Sequence, residues 1–471
     1  MLTSLIFFTA CETDLDINKD PDLLSPNQIP MASEMPAAIT GVATTSGSYY
    51  AIIGGFWSQF WTQSAVANQY KTIDDYTLNS SSNINGGSWV AMYDALTDVR
   101  NVKANALAQE NWKYYLIAST LEVQASQILV DLYGAIPYSE ANNTAILKPV
   151  FDEPEAIYDA MALTLQDALS KDLSLSPIEN VPGNTDFIFD GDMNKWTEFA
   201  NTLLLKVYLR QSEVRPSVAS NGITTLINSG AQFLSTDAAI TQYIDEDSRS
   251  NPLYESDRRQ LNVGTNLRAS TTLGGYLTTN SDPRVSEYYD GTTFQDQGNF
   301  DDGNGNAAVV ILAPETPVYF ISLAESKFIQ AEAAVRYMGG TNAQTLYEEG
   351  VIAAFNQWGL DASSFITGVY AYPNGTDAEN IEAIIIQKWV ASFPGNGFES
   401  FIEQNRTGYP MTTALDQTDP SYVPGQFAYS IEGKTGGLFP KRLEYPQSEK
   451  QRNSNTPAIV STTEPVWYDA N

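Results

Sequence analysis

Two stretches of this 471-residue chain combine flat aromatic rings with side chains that hydrogen-bond hydroxyl groups. The first, FWSQFWTQSAVANQYKTIDDYTL (56–78), carries Trp57, Trp61, Gln69, Tyr70, Asp74 and Tyr76. The second, RVSEYYDGTTFQDQGNF (284–300), carries Tyr288, Tyr289 and Phe294. A ring can lie against the weakly apolar face of a pyranose while a neighbouring amide or carboxylate takes its hydroxyls, so these residues are candidate glycan ligands. Tyr70 and Asp74 fall in a polar loop and are individually the strongest of them. Trp57 and Trp61 stand four apart, and helical spacing would bury at least one.

Other reactive groups are scarce. The chain has no histidine, which removes Ser-His, Cys-His and His-metal arrangements, and its one cysteine, Cys11, excludes a disulfide within the chain. Catalysis would have to rest on carboxylates, Tyr, Lys or a bound ion. A two-carboxylate glycosidase is compatible with the abundance of Asp and Glu, but no local signature marks such a pair. The run DGDMN (190–194) has the alternate acidic spacing of a calcium loop, yet Lys195 and Asn201 stand where that loop needs Gly and Glu. It is read as the cap of the helix that Trp196 opens, and no metal or cofactor is expected. Lys388, Trp389, Glu399 and Arg406 form a dense charged and aromatic block. They are read as structural, with Lys388 and Arg406 pairing with Glu399 or capping helix ends and Trp389 in the core.

Composition narrows the partners. With 56 acidic against 25 basic residues the net charge is −31, which repels nucleic acid and anionic headgroups and favours neutral or cationic ligands. A local basic patch at Arg258 and Arg259 could reverse that preference. No apolar run reaches the ~18 residues of a membrane span.

The elements that must position these residues are mostly helices. A first helix is expected over about 37–66, loosened at Gly54-Gly55, followed by a long polar loop over 67–87. Trp89, Met92, Leu96 and Val99, with Ser88 as N-cap, open a helical hairpin that Trp112 to Leu132 completes and Gly134 and Pro137 stop. Further helices follow at Ile157–Leu165 and Trp196–Val207. Between 210 and 315 the helical period fades into an irregular insertion with short strands. Helices resume at Phe320–Ala334 and Leu346–Trp358, and a last pair covers 381–393 and 398–406. Four helix pairs of tetratricopeptide size result.

At the N-terminus, the apolar run LIFFTA ends at Cys11 in the manner of a bacterial lipoprotein signal. Residues 1–10 are expected to be a signal peptide, Cys11 the lipidated residue, 11–36 an acidic tether and strap, and 37–471 a single domain.

Several segments in order resemble the SusD/RagB family of outer-membrane glycan-binding lipoproteins. They are WVAMYDALTDVRN (89–101), DLYGAIPYSEA (131–141), FDGDMNKWTEFANTLLLKVYLR (189–210), SDPRVSEYY (281–289), SLAESKFIQAEAAVRYM (322–338), IIIQKWVASFPGNGFESFIEQNRTGYP (384–410) and KRLEYPQSE (441–449). The resemblance spans nearly the whole mature chain and is closest to the shorter members. It departs at FESFIEQNR, where the family more often has a Trp after the Glu and a second Arg before Arg406. It implies a mostly α fold, a right-handed tetratricopeptide-like superhelix of four helix pairs with long irregular insertions, whose ligand face draws on the segment before Trp89 and on the mid-chain insertion. It also implies a non-enzymatic, lipid-anchored, surface-exposed outer-membrane protein that captures oligosaccharide or polysaccharide for a SusC-like TonB-dependent transporter. The alternatives left open are the carboxylate glycosidase and a helical-repeat protein that binds peptide or another nutrient.

Overall fold

The computed structural model describes residues 29–178, 181–261, 266–301, 303 and 305–471. Cys11, the acidic residues after it and the signal-peptide reading of 1–10 lie outside the described residues.

Four helix pairs form the body: Asn83–Ala108 with Trp112–Tyr133, Pro154–Leu169 with Met193–Leu209, Leu323–Tyr337 with Ala343–Asn356, and Asp377–Ala391 with Gly397–Thr407. Their ends follow local chemistry. Asn111 accepts from the Tyr114 amide, Ser322 from that of Glu325, and Thr376 and Glu379 form a reciprocal capping box. Pro154 sits in the first turn of its helix, and Gly134, at φ 81°, ends the helix before it. Asp192 of DGDMN is the N-cap of Met193–Leu209, accepting from the Asn194 amide at 3.0 Å and the Lys195 amide at 3.3 Å.

The N-terminal region differs from expectation. Its helix starts at Met31, inside the stretch read as a strap, because Met31, Met35, Ala38, Ile39 and Val42 repeat three to four apart and pack on Asn83–Ala108. It passes through a π turn at Ser46–Tyr50 and ends with Ala51–Trp57, so it does not reach residue 66. The first long helix begins at Asn83 with Ser82 as its boundary. Ser88 lies inside it and donates to the Asn85 carbonyl at 2.9 Å instead of capping. The mid-chain insertion also holds more helix than its composition suggested, at Pro216–Asn228 and Thr271–Thr279. Among the described residues, sheet is confined to three two-stranded ribbons.

Helices from all four pairs enclose a buried ionic network. Arg210 bonds Asp131 at 3.0 Å and Glu399 at 2.8 Å and also pairs with Glu403. Lys206 reaches Glu325 at 3.0 Å and Glu399 at 2.8 Å, and Lys388 reaches Glu399 at 3.0 Å. Arg406 takes Glu332 at 2.7 Å and Glu403 at 2.5 Å, so its partners are not the Glu399 anticipated from sequence. Trp389 is core, as read, and donates to the Ser58 carbonyl at 2.8 Å. Arg258 and Arg259 make no basic patch. Arg258 pairs with Asp257, and Arg259 with Asp245 and Glu255.

Replacing Arg406 with Met leaves Glu332 with Arg336 as its one cation and takes one of three cations from Glu403, and breaking a buried pair from one side in this way costs about 3–5 kcal/mol, read as a lowered urea midpoint. Acid attacks the same network. Burial alone would raise the Glu332, Glu399 and Glu403 carboxyls, but the surrounding Arg and Lys side chains hold all three below the usual range. Such groups contribute stability that is complete above their unfolded value of 4.5 and is lost as the pH falls below it. Asp131 opposes this, since burial lifts it to about 6 and its contribution is lost as pH rises. Within the network three depressed carboxyls stand against one raised, so its contribution, read as the urea midpoint, falls as the pH is lowered through 4.5.

Candidate functional site

The two aromatic stretches meet. Strand Trp61–Gln63 pairs antiparallel with Leu267–Ala269, and Gln295 donates to the Gln63 carbonyl at 2.6 Å. Asp74, fully buried, ties the assembly together by accepting from Thr62 Oγ1 at 2.7 Å, the Gln63 amide at 2.7 Å and Gln297 Nε2 at 2.5 Å. Burial lifts its carboxyl to about 6 against the pull of those donors.

The rings, however, face inward. Trp57 donates to the Ile73 carbonyl at 3.2 Å and lies 4.9 Å from the Phe401 ring. Trp61 is enclosed by Phe56, Phe60 and Phe393, and Gly55 admits it: a Cβ there would lie 2.0 Å from the indole. Tyr70 packs on Phe56 at 5.7 Å, and Tyr76 packs on Tyr429 at 5.4 Å. Tyr288 stacks on Phe393 at 4.0 Å and donates to the Val390 carbonyl, while Tyr289 donates to the Phe60 carbonyl at 2.6 Å. Burial raises the hydroxyl pKa of all four tyrosines. A ring packed in this way offers no face to a sugar, and Asp74 is fully buried and has no surface to offer one. Trp57, Trp61, Tyr70, Asp74, Tyr76, Tyr288 and Tyr289 are therefore scaffold. Of the sequence candidates only Gln69, which is exposed, and Phe294, which is half-buried beside Gly274, keep open surface.

An open aromatic site lies next to this scaffold, in a cleft of about 500 Å³ between helices Thr271–Thr279 and Asp377–Ala391 and the C-terminal tail. Tyr276 is its one ring with open surface. Behind it Tyr370 lies parallel within 8°, centroid to centroid 6.2 Å, and Trp389 packs edge-on at 5.7 Å. Gln387 Nε2 donates to the Tyr276 hydroxyl at 3.2 Å, and Gln387 Oε1 accepts from Arg284 at 3.2 Å. Arg284 is paired in turn with Asp282 at 2.6 Å, and Asp282 accepts the Tyr370 hydroxyl at 2.7 Å. Both rings are thus anchored by their hydroxyls to one buried ion pair, so the platform is held before any ligand arrives. Gly425, at φ 98°, closes the far wall, where a Cβ would come within 2.7 Å of Tyr276. The rim is apolar at Val369, Met411 and Val423.

Two carboxylates line the cleft, Glu379 and Glu382. Glu379 is held by the Thr376 amide at 2.7 Å and hydroxyl at 2.8 Å. Burial and the neighbouring Glu379 raise Glu382. Three apart on one helix, they share a wall and do not face each other across the cleft as a glycosidase pair must. Sequence reasoning passed over Tyr276 because Gly274-Gly275 beside it reads as a breaker. Leu273, Tyr276 and Leu277, at i, i+3 and i+4, were the available helical signal.

Comparison with known proteins gives the class. A family model described as "Starch-binding associating with outer membrane", SusD-like, matches residues 23–430, and the chain belongs to that family. Its fold is that of a structure described as a chitin-binding protein, at 22% identity and TM-score 0.74 over 94% of this chain and 100% of the other. A chitin-binding SusD homolog from Flavobacterium johnsoniae matches at 21% identity and TM-score 0.74, over 93% of this chain and 99% of its own. A SusD homolog from Bacteroides uniformis matches at 22% identity and TM-score 0.72, over 93% and 99%. No curated protein matches. Among the described residues no helix is long and apolar enough to cross a membrane.

Truncating the scaffold rings should cost stability and leave ligand affinity alone. Trp61→Ala or Tyr288→Ala is expected to lower unfolding free energy by about 3–5 kcal/mol in urea titrations. The fraction that remains folded should bind glycan with unchanged affinity.

Proposed function

We propose that this protein is a lipid-anchored, cell-surface glycan-binding protein that captures oligosaccharide or polysaccharide in the Tyr276 cleft and delivers it to a SusC-like TonB-dependent transporter. The observation that carries the reading is the Tyr276 platform, a partly open ring fixed through Gln387 to the buried Arg284–Asp282 pair. The family description and the chitin-binding neighbours support the ligand class. Binding proceeds by stacking and hydrogen bonding with no bond broken, in keeping with two carboxylates on one wall. Lipidation at Cys11 supplies the anchor, after removal of residues 1–10, and the acidic stretch that follows Cys11 serves as the tether. Acyl chains at ~0.8 kcal/mol per buried methylene hold such an anchor in the membrane.

Affinity electrophoresis against starch, chitin oligosaccharides, mannan and a uronic-acid polymer tests the reading. A neutral glycan should retard the protein, and Tyr276→Ala should weaken binding about tenfold, the loss of one stacking contact with its hydrogen-bonded neighbours. Retention by no glycan, or unchanged retention of Tyr276→Ala, would remove the cleft assignment. New reducing ends on incubation would replace the binding reading with the hydrolase. For the anchor, Cys11→Ala should shift the protein from the membrane to the soluble fraction in cells lacking the transporter.

A further inference from the structure

A second cavity, of about 1010 Å³, is far from aromatic in character. It opens between helices Pro154–Leu169, Met193–Leu209 and Pro216–Asn228, and five neutral amides face it: Gln166, Asn194, Asn201, Asn221 and Gln232. Its floor is aliphatic, from Leu169, Leu204 and Leu226. Its one ring, Tyr208, is 8% exposed, covered by Gly222, where a Cβ would lie 2.4 Å from the ring, and tied by its hydroxyl to Gln166 at 2.8 Å. Gly222 is thus needed for the third helix to close on the second pair.

These features select among ligands. Without an open ring the groove lacks the platform a pyranose needs, so it differs in kind from the Tyr276 cleft. An amide side chain offers one acceptor and paired donors, the complement of a peptide unit, and an aliphatic floor suits small apolar side chains. The amide groups of Asn194 and Asn221 stand exposed with no hydrogen bond to described residues, while Asn201 is already committed to the Gln232 carbonyl at 3.0 Å. One ionised group lines the groove, Glu198, whose Oε2 accepts from the Ser235 hydroxyl at 2.7 Å and whose Oε1 is free. The groove is therefore neutral to acidic, within a chain of charge −31. Helical-repeat proteins bind extended chains along such grooves.

We propose that this groove is a second binding site, which takes an extended polypeptide segment of small aliphatic and hydroxyl side chains with a basic residue placed opposite Glu198. The reading is independent of the glycan site. The test is fluorescence anisotropy of the full chain with two nonapeptide pools of Ala, Val, Ser and Thr, one carrying a single Lys and the other a single Glu. The Lys pool should bind saturably and the Glu pool at least about tenfold more weakly. The double variant Asn194→Ala/Asn221→Ala, which alters only exposed side chains, should weaken the Lys pool about tenfold, and Tyr276→Ala should leave it unchanged. Failure of both pools to bind, equal binding by the double variant, or displacement of the peptide by a neutral oligosaccharide in the Tyr276→Ala background would overturn the proposal.

Discussion

The fold depends on a buried set of charges drawn from every helix pair. Asp131 comes from the first pair, Lys206 and Arg210 from the end of the second, Glu325 and Glu332 from the third, and Lys388, Glu399, Glu403 and Arg406 from the fourth. Four cations meet five carboxylates within one interior, with each cation in contact with at least two. Such a cluster is a poor source of net stability, because desolvation offsets much of the attraction. Its strength is geometric. Hydrophobic helix faces tolerate rotation and sliding, whereas a bidentate Arg406 on Glu332 with Glu403 beside it does not.

The network and the cleft are joined through three consecutive residues. Lys388 enters the ionic interior. Gln387, one position before, links Tyr276 to Arg284, and Trp389, one position after, donates to Ser58 and packs against Tyr276. Successive residues on a helix point about 100° apart, so this segment is buried on most of its circumference and couples three regions at once. A displacement of helix Asp377–Ala391 would therefore reach the ionic core, the N-terminal aromatic cluster and the ligand platform together. The density of charge and aromatics in the QKW segment, which resembles an active site on paper, is explained by this junction.

Much of the fold was legible in the sequence, and the reason is periodicity. The helix pairs stand where Trp89–Val99, Trp196–Val207 and Ile381–Arg406 repeat at three and four, and Lys388–Glu399 was readable as a structural pair. Less visible were helices with few large apolar residues. Pro216–Asn228 buries only Ala219, Ile223 and Leu226, and its Ser, Asn and Gly content looks like loop. The site was misplaced for a related reason. Polar neighbours such as Gln59 and Asp74 make the first aromatic stretch look solvated, but both are buried and held by partners distant in sequence, with Gln59 donating to the Ala428 carbonyl and Asp74 accepting from Gln297. Those partners cannot be inferred from local spacing. Tyr276, conversely, owes its exposure to a tail more than a hundred residues downstream that forms the other wall of its cleft.

Charge then limits what the two surfaces can accept. Arg258 and Arg259 are each matched to acids, Lys71 is paired with Asp301, and the cations of the network are inside. Because the buried network is nearly neutral, almost all of the net charge of −31 falls outside it. Within a Debye length of ~8 Å the Tyr276 cleft has Glu379 and Glu382 in its wall and no lining cation, so a uronic-acid or sulfated polymer meets repulsion on approach and finds no counter-charge on arrival. A neutral glycan escapes both costs because stacking and amide hydrogen bonds carry no charge requirement. The amide groove imposes the same filter by other means, with Glu198 as its one ionised side chain. The common field sets the sign of acceptable ligands, and the local contrast between an anchored ring and a row of amides sets their class.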